Sequence, residues 1–123
     1  MKINRMLTNI CSERLSESSE FYTKLFDFVI DYESDWFIHL ISKESKLELG
    51  LIHVNSEIVP KDSRIQGTAS YITLVVDNVD DVFEVSKKNK YEIIQEPENT
   101  FYGQRRMLLK DPNGYTIDVS SLI

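Results

Sequence analysis

The chain has 123 residues, enough for one domain with a real core and too few for two ordinary ones. A net charge of −6 and a pI near 4.9 leave no basic stripe to neutralise phosphates, which argues against nucleic acid as a partner. The single cysteine, Cys11, excludes an intrachain disulfide and a cysteine-built zinc site, and no apolar run approaches the roughly 20 residues of a membrane span. With nothing that resembles a signal peptide, a cytoplasmic protein without membrane contact is expected.

In chain order, Ile3–Cys11 reads as a first strand. A helix follows from about Glu17 to Phe26, with Ser16 as N-cap and Glu17 and Glu20 at its positive end. Phe21, Leu25 and Phe28 form its apolar side. "FVIDYE", "WFIHLIS" and "KLELGLIHV" are three strands, and residues 55–67, with Pro, Gly, Ser and charge, read as a linker. The order then starts again. "SYITLVV" is a strand, and "DNVDDVFEVSKKNK" is a helix with acids at its start and lysines at its end. "YEIIQEP", "QRRMLLK" and "YTIDVSS" are three more strands. Both halves thus read strand, helix, strand, strand, strand, which sets module one at about 1–54 and module two at 68–123 of a single domain. The fold class is α+β: two βαβββ modules forming a curved mixed sheet with a concave cleft.

The last hairpin is the best specified. Asp111, Pro112 and Gly114 suit a type I turn followed by a residue of positive φ. With that loop, Leu109 pairs with Ile117 and Met107 with Val119, apolar side together. Arg106 then shares the polar face with Asp118 and Ser120. A loop one residue longer would put Arg105 there instead. "DWFIHL" alternates Trp36, Ile38 and Leu40 against Phe37, His39 and Ile41.

Three pieces, "SSEFYTKLFDFVIDY", "YITLVVDNVDDVFE" and "YGQRRMLLKDPNGYTIDV", resemble the vicinal-oxygen-chelate superfamily of glyoxalases, bleomycin resistance proteins and extradiol dioxygenases. The resemblance implies paired βαβββ modules and a homodimer. It also implies that metal-dependent members place His or Glu ligands at the positions of Leu7, Glu48, Tyr71 and Asp118. Leucine has no lone pair and neutral tyrosine is a poor ligand, so no transition metal and no cofactor are expected.

The candidate ligand-binding residues are Trp36, Glu48, Tyr71, Thr73, Tyr102, Arg105, Arg106 and Asp118. Arg106 either pairs with Asp118 or Glu48 or clamps an anion. Trp36 either stacks on a flat or cationic ligand or fills a core or interface. Phe101 and Tyr102 sit in a loop that can form a rim. The expected function is metal-independent binding of a small molecule, an aromatic or cationic toxic compound sequestered without catalysis. Two alternatives stay open: a metal-dependent lyase or dioxygenase-like enzyme using Glu48, Asp118 and a displaced histidine, and a sensing or structural domain whose cleft is filled by its own side chains.

Overall fold

The computed structural model describes residues 1–64 and 70–123. The last positions of the expected linker, 65–67, and the first two of the expected second module lie outside the described residues. The chain divides into two compact units, Met1–Gln66 and Gly67–Ile123.

Module one runs β1 (Thr8–Ser12), α1 (Leu15–Leu25), β2 (Phe28–Glu33), β3 (Phe37–Ser42) and β4 (Glu48–His53). Its four strands form one mixed sheet in the order β1-β4-β3-β2, with β1 parallel to β4 and the other pairs antiparallel. The βαβ crossover explains the parallel pair, since a helix must return the chain to the same end of the sheet. One sheet face packs Ile10, Ile38, Leu40, Leu49 and Leu51 against Phe21, Tyr22 and Leu25 of α1. Each such buried side chain contributes about 1.5–3 kcal/mol. The other face carries Asn9, Cys11, Phe37, His39, Glu48, Gly50 and Ile52, as period-two alternation requires.

Module two repeats the plan with β5 (Ile72–Val75), α2 (Val79–Lys88), β6 (Glu92–Asn99), β7 (Gln104–Lys110) and β8 (Thr116–Leu122), in the order β5-β8-β7-β6. Met107, Leu109, Ile117 and Val119 are fully buried on the side of α2, where Val79 and Val82 meet them. Asn78 caps α2, its side chain accepting from the Asp80 amide at 2.9 Å, while Lys87 and Lys88 occupy the last turn.

Several boundaries differ from expectation. β1 starts at Thr8, not Ile3. Helix α1 starts at Leu15, so Ser16 is inside it; the N-cap position is Arg14, which makes no capping bond. Ser12 at the end of β1 does the local work instead, accepting from the Arg14 amide at 2.8 Å and bonding the Ser18 hydroxyl at 3.1 Å. Phe28 is buried as expected, but as the first residue of β2 rather than as part of the helix. Trp36 lies before β3 and leaves the alternation of Ile38 and Leu40. A turn in which the Ser34 amide donates to the Phe37 carbonyl (2.9 Å) re-aims it. The segment read as linker folds into a 3-10 turn at Lys61–Ser63.

Candidate functional site

The polar face of module two is fixed by the Asp111–Tyr115 loop. Asp111 accepts from the amides of Asn113 (2.8 Å) and Tyr115 (2.9 Å), the Gly114 amide returns to the Asp111 carbonyl (3.0 Å), and Gly114 has φ +78°. That loop sets the register Leu109 to Ile117, Leu108 to Asp118, Met107 to Val119 and Arg106 to Ser120. Arg106 therefore shares a face with Asp118. Its Nε donates to Asp118 Oδ1 at 2.9 Å, and Thr73 Oγ1 donates to Oδ2 at 2.9 Å. The Asp118 carboxylate raises the Arg106 pKa further, with smaller contributions from Tyr102 and Tyr71, against the opposing effect of burial. Arg105 turns to the helix side, where it holds Asp80 of α2 through Nε at 3.0 Å and Nη2 at 3.1 Å. It is a fold residue, not part of this face. In the parallel β5·β8 ladder the partner of Asp118 is Thr73; Tyr71 precedes the strand by one residue and is exposed.

The corresponding face of module one carries a charge relay that the sequence did not reveal. Arg5 grips Glu48 through Nε, at 2.9 and 2.8 Å to the two oxygens, and through Nη2. His39 Nε2 lies 2.8 Å from Glu48 Oε1, and its Nδ1 lies 2.9 Å from Asp31 Oδ2. The Arg5 hydrogen bond, helped by His39 and opposed by burial, lowers the Glu48 carboxyl from its ordinary 4.5 to about 2. A carboxylate depressed on folding stabilises the fold above its unfolded pKa, and that contribution fades as pH falls from about 4.5 towards 2. The thermal midpoint of the native chain is therefore expected to exceed that of Glu48→Gln by a constant margin at neutral pH. The margin should shrink below about pH 4.5 and vanish near pH 2. A margin unchanged down to pH 2 would contradict the pairing.

Beside this relay lies a cavity of about 550 Å³ lined by Leu7, Asn9, Cys11, Trp36, Phe37 and Ile52 of the sheet face and by Ile58, Val59, Pro60 and Ser63 of the following segment. The lining is mostly apolar with two aromatic rings, the usual make-up of a small-molecule pocket. The Trp36 and Phe37 rings lie 5.6 Å apart, and Phe37 stacks on His39 at 6.5 Å and 12°. The Cys11 thiol donates to the Ser63 carbonyl at 3.2 Å, and burial raises its pKa, so it behaves as a quiet wall atom. Gly50 lies beneath two of the lining side chains, since a Cβ there would collide with Asn9 Oδ1 and press on the Phe37 ring. Gly50→Ala is expected to push both side chains into the cavity, weakening aromatic ligands about tenfold while costing only about 1 kcal/mol of stability. Paired calorimetric titration and urea unfolding check this; unchanged affinity would show that Gly50 shapes nothing.

The metal-ligand positions do not fit a divalent transition ion. In module one Leu7 offers no donor, and Glu48 is already held by Arg5 and His39. In module two Asp118 is engaged on both oxygens. His39 is a histidine displaced from the usual position and does reach Glu48, yet both its ring nitrogens face carboxylates on opposite sides. Among the described residues, no three His, Cys, Asp or Glu side chains gather as a metal-binding cluster. His53, on the other face of β4, takes the Asn55 amide at 3.1 Å.

The family model of the glyoxalase/bleomycin resistance protein/dioxygenase superfamily matches residues 2–119. The chain belongs to this superfamily. Solved structures agree on the fold. A superfamily enzyme from Burkholderia phytofirmans superposes with a TM-score of 0.80 at 21% identity, covering 95% of this chain and 97% of that one. An antibiotic binding protein from Streptomyces gives 0.76 at 20% identity, covering 100% and 99%. A bleomycin resistance determinant encoded on the transposon Tn5 gives 0.67 at 16% identity, covering 98% of each chain. A search of curated proteins returned no match. Among the described residues, no helix of this superfamily member is long and apolar enough to cross a membrane.

Proposed function

We propose that this superfamily member binds and sequesters an aromatic small molecule without a metal and without catalysis. The observation that carries the reading is the apolar, Trp36- and Phe37-lined cavity of module one, whose volume suits a ligand of drug size. Two further observations support it. The carboxylates at the family's ligand positions are each committed to an arginine, and the chain shares its fold with proteins described as binding antibiotics or conferring bleomycin resistance. The aromatic lining favours a flat ligand over a cation, since Glu48 and Asp118 are already neutralised by their partners. A single domain acting as a cytoplasmic homodimer belongs to the same proposal; light scattering on a sizing column should return twice the chain mass. Native mass spectrometry with elemental analysis of untagged protein tests the core of it. A co-purified organic ligand without stoichiometric nickel, zinc, manganese or iron is expected, and a stoichiometric metal would favour an enzyme.

A further inference from the structure

Arg106 is only partly committed. Of its five N–H donors, the one on Nε goes to Asp118, and among the described residues Nη1 and Nη2 have no hydrogen-bond partner. The side chain is nevertheless held in place: Asp118, 7% exposed, anchors it and is itself fixed by Thr73. The Arg106 side chain is 28% exposed, so part of it meets solvent. Ser120, directly opposite Arg106 in the β7·β8 ladder, is 1% exposed, and its hydroxyl has no partner among the described residues. A buried hydroxyl without a partner is costly, so this face has unmet polar capacity. Glu98, across the β6·β7 ladder, is exposed and forms no ion pair with Arg106, so its repulsion of a bound carboxylate is screened by water and salt.

We propose that this face of module two is a carboxylate subsite, with Nη1 and Nη2 of Arg106 gripping the acid group of a small organic acid. The proposal concerns module two by itself and goes beyond the module-one pocket described above. A planar fork with two open donors matches a carboxylate, whereas the Asp118 carboxylate has no free oxygen to offer a cation.

The test uses the whole chain, ¹⁵N-labelled, with benzoate and benzylammonium as probes. Benzoate should shift the Arg106 Nε resonance and the amides of Leu108 and Ser120 saturably, and bind about tenfold tighter than benzylammonium. Arg106→Lys, which keeps the charge beside Asp118 but lacks the fork, should weaken benzoate about fivefold or more. The double variant Arg106→Gln/Asp118→Asn, a neutral pair of similar shape, should lose about tenfold or more. Equal binding of the two probes, no saturable shift at millimolar benzoate, or benzoate affinity unchanged in either variant would overturn the subsite. Naphthalene quenching of Trp36 in the same samples separates this from the wider reading. Quenching retained while benzoate is silent removes the carboxylate subsite alone; quenching absent removes the module-one pocket instead.

Discussion

Asp118→Ala is expected to destabilise module two by about 2–3 kcal/mol, read as a lower urea midpoint at unchanged slope. Alanine removes the acceptor of both Arg106 Nε and Thr73 Oγ1, leaving a guanidinium on a mostly buried face without its counter-charge. Breaking a fully buried pair costs about 3–5 kcal/mol, and the partial exposure of Arg106 lets water recover some of that. Asp118→Asn keeps one oxygen as acceptor and should cost about 1 kcal/mol. Equal midpoints for the native chain and Asp118→Ala would mean that the pair is ornamental and that Asp118 is kept for something else. Thermal shift with added divalent ions would then be the next place to look.

Trp36→Ala is expected to weaken aromatic ligands about thirtyfold or more, the loss typical of an aromatic anchor worth about 2 kcal/mol at a binding site. Trp36 is 41% exposed and stands at the cavity wall, so its removal opens a site rather than a core. Stability should therefore change by less than about 1 kcal/mol, far less than a core aromatic would cost. Trp36→Phe should recover most of the affinity, because a flat apolar face remains. If Trp36→Ala unfolds the chain and Trp36→Phe does not bind better, the residue is structural and the cavity is not a ligand site.

How much of this was readable beforehand follows from range. The last hairpin was largely legible because Asp111, Pro112 and Gly114 encode the loop and the loop encodes the register; the choice between Arg106 and Arg105, open to a loop one residue longer, was closed only by the observed pairing. Both helices and the βαβββ repeat were legible for the same reason, as periodicity acts within a few residues. The Arg5–Glu48–His39–Asp31 relay was not, since it joins four separate segments whose side chains meet only after β2, β3 and β4 have paired. A bulge between Ile30 and Tyr32 in the β2·β3 ladder shifts the register beside Asp31, which simple alternation does not foresee. Trp36 was misplaced by one rule applied one residue too far: the Ser34–Phe37 turn ends the strand pattern before it. The cavity wall at residues 58–63 was hidden by a composition that reads as linker, although Ile58 and Val59 were the signal. In module two, alternation put Arg106 and Asp118 on one face, and the family resemblance added Tyr71 to the same cleft, with Thr73. The structure adds which atoms bond and leaves Tyr71 at the rim.

In the proposed function, module one holds an aromatic ligand against Trp36 with no help from a metal. The most direct measurement is a Trp36 fluorescence titration with naphthalene, run once in chelator and once with added nickel. Saturable quenching with the same midpoint in both is expected. Quenching that needs the nickel, or none in either, would contradict the claim.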